Sequence, residues 1–252
     1  MRKVAFFAGC FVNYYEPAIG KATFRVLQHN GVEMVLPRQV CCALPMVSKG
    51  NAKGAMANIK ENVASLSAAL EDGCEAIVVT CSSCSLMLKR SYPHFLPTDD
   101  ARLVAAKTRQ LSEYLLSLAA AGELVPPSSP LVTTVFYHLP CHLRAQGAEV
   151  VDQSLEFLRL LPGLTMKKVA GNCCGMGGTY GFERRNFKLS RAIGAKVVGD
   201  VLATPTDRVV TDCGLCKLQI ESGAGVAVSH PVMLFQEAYG LNGSEADRGV
   251  RG

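Results

Sequence analysis

The chain lacks what several broad classes of protein require. No apolar run in its 252 residues approaches the roughly 18 needed to span a bilayer. There is no dense basic run and no aromatic–basic RNA motif. With a net charge of only +5, nucleic acid is not the expected partner. The start, from Met1 to Ala8-Gly9-Cys10, imitates a lipoprotein leader. Its apolar part runs only from Val4 to Ala8, short of the roughly 7–15 residues of a signal core. That stretch reads better as a strand leading to a cysteine. Eleven cysteines without a secretory leader do not describe a disulfide scaffold, because a reducing compartment keeps thiols free. The cubane ferredoxin run, three cysteines each two residues apart, is absent. So is a Gly-x-Gly-x-x-Gly directly after a strand, which sets aside a nucleotide-binding reading of the glycines.

What is present is globular in character, 49% hydrophobic and 19% charged. The length suits two small domains or one large one. A mean hydropathy of +0.20 is high enough for some apolar surface to be reserved for a partner.

The strongest signal is a repeat of cysteines. Cys10, Cys41-Cys42 and Cys81-x-x-Cys84 are separated by 30 and 38 residues. Cys141, Cys173-Cys174 and Cys213-x-x-Cys216 are separated by 31 and 38. The second set is the first shifted by 131 or 132 residues. Only Cys74 stands outside both sets, and it reads as a partly buried free thiol beside a strand.

Along the chain, short apolar runs alternate with helical patterns. Strands are expected at Lys3–Ala8, Val32–Leu36 and Ala76–Thr80, then Leu131–Tyr137, Leu164–Val169, Arg208–Thr211 and Val226–Ser229. Helices are expected from Glu16-Pro17 to Asn30-Gly31, with Ile19, Phe24, Val26 and Leu27 on one face, and from Lys49 to Glu71. Others are expected over Asp99–Ala121, Gln153–Leu161 and Glu183–Leu202, with a last one after His230-Pro231. Val104, Leu111 and Leu118 fall seven apart, which fits packing on the chain's own domain better than a partner-docking helix. Strands alternating with helices imply an α/β fold with small parallel sheets, in two pseudo-repeated, three-layer-like domains. The first domain is expected over 1–122, a Pro/Ser-rich linker over 123–130, and the second domain over 131–252 with a disordered tail from about 242. The cysteines then lie at the C-terminal ends of strands, where open α/β sheets place their sites.

Thiolates are soft ligands that select zinc, copper(I) or iron–sulfur clusters. Structural zinc takes four ligands, usually two close pairs. Each half offers five thiols, one pair of them adjacent. Neighbouring side chains point apart, which suits several metal atoms better than one tetrahedral ion. Gly175, Gly177, Gly178 and Gly181 let backbone come close and turn N–H groups inward, as in an anion-binding nest. The Cys-x-x-Cys pairs sit at expected helix starts, where free N–H groups favour negative charge. A zinc-stabilised binding module and a thiol–disulfide exchanger with accessible low-pKa thiols remain the competing readings. Arg184, Arg185, Lys188 and Lys217 read as a solvated helix face before they read as a partner surface. His138 and His142 flank Cys141 as groups around the site or as ordinary core and turn residues.

The doubled pattern Cys-x(about 30)-Cys-Cys-Gly-x(about 38)-Cys-x-x-Cys resembles the cysteine-rich CCG domain family over roughly residues 3 to 240. The family includes the B subunit of heterodisulfide reductase, the lactate-utilisation and glycolate oxidase iron–sulfur subunits, and the C subunit of anaerobic glycerol-3-phosphate dehydrogenase. Gly9-Cys-Phe-Val-Asn-Tyr14, Cys173-Cys-Gly-x-x-Gly-Thr-Tyr-Gly-Phe182, Ala192-Ile-Gly-Ala195 and Thr211-Asp-Cys213 point towards the last of these. The resemblance implies one noncubane 4Fe–4S cluster on Cys10, Cys41, Cys42, Cys81 and Cys84. It implies another on Cys141, Cys173, Cys174, Cys213 and Cys216. It also implies electron transfer in a dehydrogenase or reductase complex with a flavoprotein subunit, towards membrane quinone. The place would be the cytoplasm, peripheral to the membrane through partners. The alternative it implies is disulfide cleavage at a noncubane cluster, which needs an open cleft over the second site.

Two departures carry expectations. The first motif reads Cys-Cys-Ala43 where the family pattern has glycine, so its loop geometry is expected to differ. The glycerol-3-phosphate and glycolate relatives carry an N-terminal ferredoxin-like part before the first motif. The chain is therefore expected to be a shortened product, or a subunit needing a separate ferredoxin-like iron–sulfur partner.

Overall fold

The computed structural model describes residues 1–241, so the expected disordered tail lies outside the described residues. In the first half, β1 (Arg2–Phe7) feeds α1 (Gly9–Tyr14) and α2 (Pro17–His29), followed by β2 (Val32–Val35), α3 (Leu44–Ser48) and α4 (Ala52–Glu71). β3 (Ala76–Val79) leads into α5 (Ser82–Leu86), α6 (Tyr92–Phe95), α7 (Asp99–Lys107), β4 (Thr108–Gln110) and α8 (Leu111–Ala120). The second half repeats the plan with β5 (Thr133–His138), α9 (Cys141–Arg144), α10 (Ala148–Arg159), β6 (Leu164–Ala170) and α11 (Phe187–Leu202). β7 (Arg208–Thr211), α12 (Gly214–Ala224), β8 (Val228–Ser229) and α13 (Pro231–Ala238) complete it.

All strand pairs are parallel, and the two four-stranded sheets run β2-β1-β3-β4 and β6-β5-β7-β8. The α/β fold with two pseudo-repeated halves is therefore present, helices covering both faces of each sheet. The local reasons are those the sequence carries. Pro17 sits in the first turn of α2, and Asn30 and Gly31, at φ +71°, close it. The Asn51 and Thr98 side chains cap α4 and α7.

Several expectations needed correction. The helix expected over Asp99–Ala121 is two helices divided by β4, which pairs with β3 through Thr108, Arg109 and Gln110. Glu113 reaches back to the Gln110 N–H in a capping box and restarts the helix. Val104 then lies on one face of the first sheet, while Leu111, Leu115 and Leu118 lie on the other. The seven-residue spacing is thus no continuous stripe. Phe24 is exposed, whereas Ile19, Val26 and Leu27 are buried with Ala22. α10 starts at Ala148 rather than Gln153, directly after Gly147, and α11 starts at Phe187 after two 3-10 turns.

The outward face of the first sheet packs on α4 and α7 around Phe7, Ile59, Leu66 and Ile77. The outward face of the second packs on α11 and α12 around Phe136, Val197 and Ile220. The inward faces share one core, in which Val4 and Phe6 of β1 and Val135 and Tyr137 of β5 are joined by α2, α8, α10 and α13. The segment between α8 and β5 is held at Val125 by both halves. The Val125 N–H donates to Asn30 at 2.8 Å, and the Tyr239 hydroxyl donates to the Val125 carbonyl at 2.8 Å.

Candidate metal centres

The C-terminal ends of β1 and β3, and of β5 and β7, meet at the seam between the halves. The Ser82 N–H donates to the Asp212 carbonyl at 3.0 Å across it. Nearby, the Ser85 hydroxyl donates to Gln146 at 2.9 Å, and His230 contacts the Thr80 carbonyl at 3.0 Å. Both sets of cysteines stand at this edge, because in each half one thiol follows the first strand and a Cys-x-x-Cys pair follows the third.

The first quintet converges. Sulfur contacts run from Cys10 to Cys41, from Cys41 to Cys42, from Cys42 to Cys84 and from Cys84 to Cys81. Hydrogen bonds from Cys41 and Cys84 hold Cys42 down to about 5, and the bond from Cys84 holds Cys81 down to about 7. The donor Cys84 is pushed up by those same bonds. Backbone N–H groups add to the effect. Those of Ser83 and Cys84 serve Cys81 at the start of α5, and that of Leu44 serves Cys42 at the start of α3.

The second quintet converges too. The Cys216 thiol lies 3.2 Å from the Cys174 sulfur and also bonds Cys213. Burial pushes Cys141 up to about 11, with the nearby Cys173, Cys174 and Cys213 adding to the rise. The Gly175 N–H donates to Cys173 at 3.4 Å, and the Met176 N–H serves Cys174. Cys173 and Cys10 are exposed, and Cys74, outside both sets, is buried just before β3.

A cavity of about 280 Å³ lies against the first quintet. Its floor carries Cys10, Cys42, Cys81 and Cys84, and its far wall is Gly178, Thr179, Phe182 and Leu215 of the second half. The open cleft that disulfide chemistry was expected to need over the second site is therefore not this cavity, which serves the first. Gly178 belongs to that wall because its loop crosses the seam: a Cβ on it would stand 2.8 Å from the Ser48 hydroxyl. Gly175 is required by α11 instead, since a Cβ there would meet the Ser190 carbonyl oxygen at 2.1 Å. Gly177 turns with positive φ against Tyr180. Ala43 was expected to alter the first loop. It keeps the left-handed conformation, φ +74° against +89° at Gly175, because its methyl finds room in the core.

Of the basic residues, Arg184, Arg185 and Lys188 are exposed as expected. Lys217 is not solvated, because it pairs with Glu16 at 3.3 Å and Glu221 at 3.0 Å. His142 contacts the Ser83 hydroxyl at 2.8 Å, and that hydroxyl lies 3.8 Å from Cys213. Burial pushes His138 down to about 4, so its ring is neutral. A buried pair escaped the reading of the sequence: Tyr137 donates to Asp212 in the shared core behind Cys213. The only hint was an acidic residue directly before a cysteine.

The donors fit a soft, anionic, multi-atom group. Each half presents five sulfurs of one kind, with backbone N–H groups aimed at several of them. Among the described residues, no three His, Cys, Asp or Glu side chains are grouped as they would be round a single ion.

Two stretches, residues 4–89 and 135–221, match the CCG cysteine-rich domain family. The chain is 36% identical over 240 residues to the C subunit of anaerobic glycerol-3-phosphate dehydrogenase from Escherichia coli, covering 94% of this chain and 59% of that protein. It is 30% identical to the B subunit of fumarate reductase (CoM/CoB) from Methanothermobacter marburgensis, covering 87% and 42%. It is 32% identical to lactate utilization protein A of Bacillus cytotoxicus, covering 86% and 90%. The chain thus spans about three-fifths or less of the first two relatives.

Proposed function

The chain belongs to the cysteine-rich CCG domain family, and from that premise we propose that it is the iron–sulfur electron-transfer subunit of a flavin-linked dehydrogenase or reductase complex. One observation carries the reading: two quintets of thiols, equivalent by an internal repeat, each drawn together at the C-terminal edge of a parallel sheet. Cys10, Cys41, Cys42, Cys81 and Cys84 hold one cluster. Cys141, Cys173, Cys174, Cys213 and Cys216 hold the other. Both are of the noncubane 4Fe–4S type that the family resemblance implies. The domains are the two halves, 1–122 and 131–252, joined by 123–130.

When bound, such clusters supply one-electron storage. The chain's own residues do the rest. Backbone N–H groups at the starts of α3 and α5, and those of Gly175 and Met176, stabilise negative charge on the sulfurs. Phe182 and Leu215 of the second half give the cavity against the first centre an apolar wall. Ser83, touching both His142 and Cys213, bridges the short gap between the centres.

The partners are a flavoprotein subunit and a ferredoxin-like iron–sulfur subunit, with quinone as the acceptor beyond. The names of the relatives support an assembly of several subunits. No helix among the described residues is long and apolar enough to cross a membrane, so a place at the cytoplasmic face of one would come through partners.

The test is purification without oxygen, followed by iron, sulfide and zinc analysis and EPR. Iron and sulfide in cluster amounts and two spectral species are expected. Cys174→Ser should remove one species and leave the other. Loss of both, or of neither, rejects two separate sites. A colourless protein with stoichiometric zinc and no sulfide would establish the zinc module instead.

A further inference from the structure

The two centres differ at one buried position. β1 and β5 share a constant offset, so Phe7 and His138 are equivalent, each three residues before the first cysteine of its set. Phe7 packs with Cys42 and Cys84 on the cysteine side of its sheet. A Cβ on Gly9 would stand 3.0 Å from the Cys84 sulfur and 3.7 Å from the Phe7 ring, so ring and sulfur flank the same spot. Strand alternation gives His138 the corresponding face of β5. It follows Tyr137, which faces the shared core, and lies on the side of Phe136, whose cluster contains Cys174, Cys213 and Cys216.

His138 is fully buried, and neither ring nitrogen has a hydrogen-bond partner. Burial and the charge of Arg144 lower its pKa; the Ala170 carbonyl approaches the ring and raises it, but falls short of full hydrogen-bond geometry. Burying an imidazole in this state is costly, because both ring nitrogens lose water and gain no partner. Phe7 shows that the fold accepts a purely apolar ring at this place. A neutral imidazole still carries one N–H, and the soft acceptors on its side of the sheet are the sulfurs of the second quintet.

Resting on the reading of that quintet as an iron–sulfur site, we propose that His138 donates its N–H to the sulfur shell of the second centre and raises its reduction potential above that of the first. Reduction adds one electron, and with it negative charge on the sulfurs. A donor already in place stabilises the reduced form more than the oxidised one. No bond breaks and no proton leaves the ring. His138 is a positioning residue in this sense: it sets the order in which the two centres fill.

The experiment is an anaerobic reductive titration followed by EPR on the full chain and on His138→Phe. At the wild-type midpoint of the second centre, the ratio of reduced to oxidised form should fall on the order of tenfold, about 59 mV for a one-electron couple. The first centre should not move. His138→Gln, which keeps an N–H donor, should stay near the wild type. An unmoved second midpoint in His138→Phe, with both species present, overturns the proposal. Should His138→Phe fail to assemble the second centre, Phe7→His decides. It should raise the potential of the first centre, and an unchanged first midpoint then overturns the proposal. A wild-type sample without iron–sulfur signals defeats the underlying reading before any variant is made.

Discussion

Gly175→Ala should lose at least about 3 kcal/mol of stability and the whole second spectral species, while Ala43→Gly at the matching position should change little. The two loops have the same left-handed turn, at φ +89° and +74°, but different surroundings. At Gly175 the new methyl would sit 2.1 Å from the Ser190 carbonyl oxygen and close to the Gly194 N–H. Both belong to the backbone of α11, so neither can swing away as a side-chain tip would. The left-handed strain of about 1–2 kcal/mol adds to the overlap. Relief comes only if the loop carrying Cys173 and Cys174 lifts off α11.

At Ala43 the same strain already exists and the methyl is buried. Removing it relieves about 1–2 kcal/mol of strain. Against that stand about 0.8 kcal/mol of lost burial and about 0.4–1 kcal/mol of added freedom in the unfolded chain. The terms nearly cancel, so a change within about 0.5 kcal/mol is expected for Ala43→Gly. Denaturant midpoints with unchanged slope, measured beside EPR, check both variants. A Gly175→Ala protein with wild-type stability and both species would show that the tight packing under α11 does not hold the second loop.

The same contrast shows what could be read from residues alone. The alternation of strands and helices, and the cysteines at strand ends, depend on local periods and turn residues, and these are visible in a single sequence. The fate of Ala43 was not visible. Whether a methyl fits depends on what packs round it, here the outer core of the first half, which also holds Ile59, Val63 and Tyr92. β4 was missed for a similar reason. Thr108-Arg109-Gln110 has no apolar alternation, and three residues are held in the strand by pairing with β3 rather than by propensity. The short helices α1 and α9 carry the first cysteine of each set in their first turn and have too few residues for a period to show. The division of the thiols into two sets was legible because the repeat pairs each cysteine with its counterpart. The partnership of Tyr137 with Asp212 was not, since it joins two strands through the core.

Phe235→Ala should weaken both halves together, by about 3–5 kcal/mol, rather than loosen the second alone. Phe235 is fully buried on α13 and stacks on Phe157 of α10 with ring centroids 4.0 Å apart. α13 packs on α2 of the first half, where Tyr239 meets His29 at 4.5 Å. The stack adds about 0.5–1.5 kcal/mol beyond burial of the rings. Removing it leaves a cavity in the layer that both sheets use as their inner face. Neither inner face could stay dry without that layer, because Val4 and Phe6 on one side and Val135 and Tyr137 on the other share it. Native-state hydrogen exchange is the measurement, since it reads each strand separately. Amides of β1 and β3 should lose the same protection free energy as those of β5 and β7. If only β5 and β7 respond, the repeated halves are independent folding units that merely touch. The seam holding Ser83 between His142 and Cys213 would then be free to open without unfolding either one. If both respond equally, the geometry between the two quintets is as rigid as the core itself, and an electron passing from one centre to the other meets a fixed distance.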